Sequence, residues 1–347
     1  MKTPDVIVAG AGIIGVSVAI ELRLRGAEVA VLERGEPGRE ASSAAAGMLA
    51  FADPETPSLL RPLAATSAQL FPEYVADLEE SSAMHVDFRQ QGAIALLPGD
   101  PAPPEYRKLS PKEVRQLEPA LETGELESFF VAEGSVDPVL LMQAALRSSV
   151  RRGVEIRSHC TVQQIDRKGT QLEIRTNSAT LTATTVIDCR GAWSGPPVRP
   201  RKGQSIYLQP ERAGLLEHIV VSPEVYLVPR SSGKILAGAT VEDVGYDKTV
   251  EPEIVRRLHA AAGRLLPQLA SAAVIESWAG LRPGSPDDLP LLGATATPGL
   301  FLATGHFRNG ILLAPVSARI IADLATGKPT TPDISVFSPL RFSAIPA

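Results

Sequence analysis

Apolar residues change their spacing several times along this chain, and each change predicts an element. Residues 5–9, "DVIVA", form a short continuous apolar run, 28–33, "EVAVLE", form another, and 13–25 between them read as a helix ended by Gly26. Strand, helix, strand is the βαβ opening of a nucleotide-binding fold. Residues 58–81 are predicted helical, while 86–98, "VDFRQQGAIALLP", alternate and turn like a hairpin. The proline-dense "PGDPAPPEY" that follows is a surface loop. A helix is predicted over 137–152, with Asp137 suited to the N-cap, Pro138 to the first turn and Gly153 to the stop. Several β-rich runs follow from 154 to 189. Further strands are predicted over 203–241, a helix over 253–269, and a closing amphipathic helix over 310–326 that Gly327 terminates. The chain has no internal repeat and no low-complexity tract.

At 347 residues the chain exceeds the size at which one hydrophobic core stops growing, so two domains are expected. The element order predicts a nucleotide domain interrupted twice by a mainly β domain. The segments 1–82, 134–196 and 277–347 are assigned to the first, and 83–133 and 197–276 to the second. Hydrophobic residues at 44% and charged residues at 21% are globular composition. A net charge of −5 leaves no footprint for nucleic acid, and no Lys/Arg run suggests a membrane surface. Only Cys160 and Cys189 occur, too few for a disulfide framework and at no zinc spacing, which points to a reducing compartment and no metal. The apolar start "VIVAGAGIIGVSVAIEL" is interrupted by glycines and preceded by Asp5, so it reads as strand and helix, not as a signal or a membrane span. A cytoplasmic protein is expected.

The first βα turn carries candidate chemistry. "GAGIIG" places Gly10, Gly12 and Gly15, with Ile13 and Ile14 between them, after a strand and at the start of a helix. The first glycine makes the turn, the second lets backbone approach a pyrophosphate, and the third allows close helix packing. Glu33 ends the second strand, where a carboxylate can accept hydrogen bonds from a ribose diol. That disfavours a 2′-phosphate, although the adjacent Arg34 tempers the argument. NAD and FAD both remain open at this point. "GREASSAAAGML" (38–49) is dense in small residues, which suits backbone lying against a large flat group and equally suits a tightly packed helix start.

"GAGIIG", "ASSAAAGML", "VDP", "RGAWSG", "GQ", "YLVPR", "GAT", "WAGLRPGSPDDLPLLG" and "GHFRNGILLAP" occur in this order. In that respect the chain resembles the glycine oxidases of the D-amino-acid oxidase superfamily, flavoproteins related to sarcosine oxidase, from residue 5 to about 326. The resemblance implies an α/β fold: a Rossmann-type FAD-binding domain with a mainly antiparallel β (α+β) substrate domain inserted. It implies FAD as cofactor, with Ser42 and Ser43 toward the phosphates, Ala46, Gly47 and Met48 beside the isoalloxazine, and the Val162 backbone at the adenine. Gly191 of "RGAWSG" joins this cofactor set. Sarcosine-oxidase relatives tether the ring through a cysteine a few residues ahead of the equivalent of "SPD". Gly280 stands there, so the flavin is expected to be non-covalent.

The resemblance also places the segment His306, Phe307, Arg308, Asn309, Gly310, Ile311 and Leu312 at the flavin pyrimidine edge. There a helix start would stabilise negative charge on the reduced ring. Read alone, the segment is an ordinary helix N-terminus capped by Asn309. Arg282 of "GLRPGSPDDLP" is expected in a Gly/Pro loop, where internal pairing with Asp287 or Asp288 is the plain reading. In the family this arginine clamps the substrate carboxylate, a task its planar fork suits. Tyr226 matches the active-site tyrosine, or else is a half-buried strand tyrosine. Arg308 is a second candidate for substrate contact, and Val241, where glycine oxidases carry a longer side chain, leaves room beyond glycine. The activity implied is oxidation of a small amino acid to an imine and then a 2-oxo acid, with O₂ reduced to H₂O₂. A role in thiamine biosynthesis and a homo-oligomeric assembly are further expectations. Two alternatives are a D-amino-acid dehydrogenase passing electrons to a quinone or other carrier, and a nucleotide-binding module without catalysis. The arginine and cysteine that precede Gly191 have no account from sequence.

Overall fold

Along the first strand, Val6 and Val8 face one way and Ile7 and Ala9 the other, and both faces are buried, as a central strand of a covered sheet requires. The computed structural model describes residues 4–99 and 102–342; Asp100 and Pro101 of the proline-rich loop lie outside it. In it the strand Val6–Ala9 pairs in parallel with Val29–Leu32 on one side and Thr185–Asp188 on the other. Glu155–Arg157, Leu300–Thr304 and the antiparallel Leu291–Ala294 complete a six-stranded sheet. Because the chain leaves the first strand to one side and returns on the other, a crevice opens at the carboxyl end of Val6–Ala9.

Helices Ile13–Leu24, Arg61–Ser82, Pro138–Arg151 and Ala314–Ala325 cover one face, burying Val16, Phe71, Leu141 and Ile320 against Val6 and Val8. Each such side chain contributes about 1.5–3 kcal/mol by leaving water. The opposite face packs on a three-stranded antiparallel sheet, Val162–Lys168, Gln171–Thr176 and Thr180–Ala183, through Leu172, Ile174 and Ala183. Asp137 caps its helix as expected, accepting from the backbone N–H of Val139 at 2.9 Å and of Leu140 at 3.1 Å. No helix of the described residues is long and apolar enough to cross a membrane.

A second, eight-stranded sheet runs in the order Ala273–Gly284, Arg199–Gln209, Ile235–Gly238, Tyr226–Pro229, Ile219–Val221, Ala93–Leu97, Glu127–Val131, Arg107–Lys108. It is antiparallel except where Ile219–Val221 meets Ala93–Leu97. Helix Pro252–Leu265 seals one face through Leu258, Ala262 and Leu265. The other face presents Tyr207, Tyr226 and Trp278 toward Ala46 and Met48 of the small-residue run. The architecture is therefore an α/β Rossmann-type core with an inserted mixed β-sheet domain, in keeping with the sequence reading.

Three local expectations are corrected. Residues 86–98 do turn at Gly92, but they do not form a hairpin. Phe88–Arg89 pairs with Ser135–Val136, and the buried Ala93–Leu97 lies between Glu127–Val131 and Ile219–Val221. A strand apolar on both faces needs neighbours that a two-residue partner cannot supply. Arg282 is not in a loop but near the end of the twelve-residue strand Ala273–Gly284, opposite Arg201. Pro283 is tolerated there because the strand is at the sheet edge, where a missing N–H breaks no second ladder. The closing helix begins at Ala314 rather than at residue 310, with Pro315 in its first turn; Phe307–Asn309 ahead of it is a separate 3₁₀ turn.

Candidate active site

Both sheets line one cavity of about 910 Å³, toward the upper end of the ~300–1,000 Å³ usual for ligand sites. Its nucleotide end is built on the first βα turn. Gly10 has φ 104°, and a Cβ there would lie 2.4 Å from Cys189 O, while a Cβ on Gly15 would lie 2.0 Å from Gly10 O. Side chains at either position would push strand and helix apart. Glu33 is buried and braces the turn, one carboxylate oxygen accepting from Ala11 N and the other from Gly35 N, both at 2.9 Å. Ile13 N donates to Ser42 Oγ at 2.9 Å, which joins the helix start to the small-residue run.

Gly10, Gly12, Ile13 and Ile14 line the cavity from the turn, and Glu33 and Arg34 from the second strand. Ser42, Ala46, Gly47 and Met48 line it from the small-residue run, with Val162 and Gly191 opposite. Gly15, Ser43 and Leu312 do not. Gly15 packs on Gly10, Ser43 Oγ donates to Gly38 O at 2.6 Å, and the Leu312 carbonyl accepts from Ser67 Oγ at 2.6 Å inside the helical core. Arg34 stacks 3.6 Å over Trp193, which in turn stacks on Tyr246. Both cysteines are free and buried, and both line the cavity at its nucleotide end. Burial pushes the Cys189 thiol up, so it stays protonated. Arg190, unexplained by sequence, forks onto Asp188 at 2.7 and 3.0 Å and reaches Val162 O at 3.4 Å, tying two of the cofactor walls together. A glycine cradle, a buried carboxylate at the end of the second strand and a continuous cavity together fit a dinucleotide cofactor.

At the other end Arg282 faces the same cavity. Its Nη1 donates to Thr240 O at 3.0 Å, and the Tyr226 hydroxyl lies beside it. The guanidinium lies so close over Gly203 that a Cβ there would sit 2.1 Å from Nη1. Burial pulls the guanidinium below its ordinary value and nearby Arg308 adds to this, while Tyr226 and Glu242 oppose it. Among the described residues no carboxylate pairs with Arg282. Asp287, its expected internal partner, is engaged by Arg341 at 2.9 and 3.0 Å, and Asp288 is not bonded to it. A guanidinium that faces a cavity and has no carboxylate partner among the described residues suits an anion electrostatically.

Arg308 lines the cavity, and its guanidinium is paired with Glu55. Val241 also lines it and is 39% exposed, which puts it at the mouth. His306 is buried, with Nε2 3.0 Å from Ser317 Oγ, and burial lowers its pKa to about 3, so it is neutral in the working range. Phe307, at φ 45°, holds a backbone conformation uncommon for a residue with a side chain, and with Asn309, Gly310 and Ile311 it lines the cavity wall.

Comparison with known proteins decides the family. The family described as "FAD dependent oxidoreductase" matches residues 5–324. The chain belongs to it. This FAD-dependent oxidoreductase is 34% identical to the bifunctional protein ThiO/ThiG of Nostoc sp. over 96% of its own length and 54% of that protein's, so it spans about half of that relative. It is 32% identical to a glycine oxidase of Pseudomonas putida, over 96% of this chain and 98% of the relative. The crystal structure of glycine oxidase from Geobacillus kaustophilus superposes with a TM-score of 0.92 at 30% identity, covering 97% of this chain and 98% of that one.

In this FAD-dependent oxidoreductase several residues of the site were not singled out by sequence. Buried Arg230 donates to Ala46 O at 2.6 Å and Val136 O at 3.1 Å, which seats the small-residue run on the second sheet. Trp278 Nε1 does the same through Ala44 O at 3.0 Å. Both lie in stretches quoted for the resemblance, "YLVPR" and "WAGLRP", and a long cation or indole amid buried strand residues was the available signal. Glu55, by contrast, carries no local signal.

Proposed function

We propose that this enzyme oxidises small primary or secondary α-amino acids such as glycine, sarcosine and small D-amino acids. The product is an imine, which water converts to the 2-oxo acid and ammonia or amine, while O₂ takes up the electrons and protons as H₂O₂. The observation that carries the reading is Arg282: a cation lacking a carboxylate partner, beside the Tyr226 hydroxyl, in the same cavity as the glycine turn. The likeness to glycine oxidases over nearly whole chains supports it.

Bound FAD supplies the acceptor for the two electrons that leave with the Cα hydrogen. Gly10 to Ile14, Glu33, Ser42, Ala46 to Met48, Val162 and the 306–311 segment are the residues we assign to holding it, and the division into segments 1–82, 83–133, 134–196, 197–276 and 277–347 belongs to the same reading. Arg282 takes the substrate carboxylate through its fork, and the Tyr226 hydroxyl donates to the same group, which fixes the direction of the Cα–H bond. The amine enters neutral, so no side chain need act as base. His306, neutral and bonded to Ser317, holds the wall and moves no proton.

A cytoplasmic place is supported by two free thiols, and a part in thiamine biosynthesis by the likeness to ThiO/ThiG. A homo-oligomer is included, to be read by light scattering. A panel of glycine, sarcosine and D- and L-amino acids with peroxide detection tests the function. Peroxide with small amino acids supports an oxidase. Reduction of the cofactor without peroxide in air replaces it by a dehydrogenase using a quinone or other carrier, and a colourless protein inert to the whole panel overturns both.

A further inference from the structure

Arg282 is steadied by a segment whose own anchor lies outside the cavity. Thr240, whose carbonyl accepts from Arg282, also accepts at Oγ1 from Gln204 N at 2.9 Å and donates from Oγ1 to Glu242 Oε1. Glu242 is tied to Lys202 twice. Their backbone amides exchange hydrogen bonds, both 2.9 Å, and Lys202 Nζ lies 3.4 Å from Glu242 Oε2. Gln204 reinforces the knot, donating to Glu242 Oε1 at 3.0 Å and accepting from Glu251 N at 2.8 Å. The Lys202 side chain is only 1% exposed, and its ammonium also faces Glu251 at 3.4 Å and Asp247 at 3.9 Å. Lysines are almost never buried without partners. The desolvation of this one is offset only while the acidic segment 242–251 stays folded onto strand Arg199–Gln209. Neither Lys202, Glu242 nor Thr240 lines the cavity, so none of them touches substrate. The chain of contacts nevertheless ends on the guanidinium that does.

We propose that Lys202 is a positioning residue: through Glu242 and Thr240 it fixes the Arg282 guanidinium over Gly203. This rests on the reading that Arg282 takes the substrate carboxylate. Removing the ammonium takes the cation from the Glu242 carboxylate while the backbone pairing of residues 202 and 242 remains; the carboxylate then no longer holds Thr240 firmly, and the guanidinium can leave its place with the cofactor cradle untouched.

The test uses the FAD-loaded enzyme with Lys202→Met, Lys202→Arg, Arg282→Ala and the double variant Lys202→Met/Arg282→Ala. KM and kcat are read with glycine, and Kd for acetate, a carboxylate lacking the amine, is read from the change in the flavin spectrum. Lys202→Met is expected to raise KM and the acetate Kd by about tenfold, a typical coupling between residues of one network. The change in kcat should be much smaller and FAD content unchanged. Lys202→Arg, which keeps a cation for the same carboxylates, should restore most of the loss. In the Arg282→Ala background Lys202→Met should add nothing, because its effect passes through the missing group. An unchanged acetate Kd in Lys202→Met, or full additivity in the double variant, overturns the proposal. An unchanged acetate Kd in Arg282→Ala overturns the carboxylate reading beneath it. Should Lys202→Met fail to fold, Glu242→Gln takes its place, keeping the shape while removing the charge. The same direction of change is then expected, and none overturns the proposal.

Discussion

Gly203 offers a way to move the cation proposed to bind substrate, Arg282, without deleting it. Its backbone is ordinary extended strand, so alanine is compatible with the fold, but the added Cβ would sit 2.1 Å from Arg282 Nη1 and 2.5 Å from Cζ. Carbon and nitrogen meet without overlap at ~3.5 Å, so the guanidinium must retreat by about 1.4 Å. That breaks the 3.0 Å bond to Thr240 O. It also takes the fork out of line with a bound carboxylate. A misplacement of ~1 Å in a positioning group costs up to about 10²-fold, so Gly203→Ala should lower kcat/KM for glycine by about 10- to 100-fold. Thermal unfolding and FAD content should stay near those of the parent, since the clashing atoms are the tip of a flexible side chain. The assay is steady-state peroxide formation with glycine beside a melting curve of the same preparation. A variant with parental kcat/KM would mean that the guanidinium's place over Gly203 has no bearing on turnover. A variant that loses FAD would mean the two ends of the cavity are not independent.

Other consequences follow from groups away from the cation. Glu133 is buried and accepts from Ala52 N at 2.8 Å, and burial raises its pKa from 4.5 to about 7. The native state therefore holds this proton more tightly than the unfolded chain, so stability falls as pH rises from 4.5 to about 7, by on the order of 3 kcal/mol. Glu133→Gln should remove that loss and melt higher than the parent at pH 8, with little difference at pH 4.5; equal melting at pH 8 would refute the burial argument. Val241 lies at the cavity mouth, so Val241→Met should lower kcat/KM for D-alanine and D-proline more than for glycine, by several-fold. A uniform effect on all three would place residue 241 away from the substrate's side chain.

Much of this was legible in the chain because it was local. A short apolar run stopped by Gly10, a helix capped by Asp137 and an acid at the end of the second strand each depend on neighbours within a turn or two, and each stands where expected. The errors share the opposite cause. Residues 86–98 looked like a hairpin because their alternation was visible, whereas their partners at 127–131 and 219–221 were not. Glycine and proline around Arg282 suggested a loop. Pro283 is permitted in that strand because the strand forms a sheet edge, a property of the whole sheet. The same limit explains the site. The family resemblance, not the type of residue, pointed to carboxylate binding at 282 and 226, and the Glu55 partner of Arg308 and the Lys202 knot are set by contacts between distant segments.

The account turns on one interaction, the grip of Arg282 on a carboxylate. Titration of acetate into the FAD-loaded enzyme and its Arg282→Ala variant, followed by the flavin spectrum, measures it without turnover. Charge-assisted hydrogen bonds of this kind contribute about 1.5–3 kcal/mol, so Kd should rise about 10- to 150-fold in the variant. An acetate Kd equal in the two proteins would contradict the account.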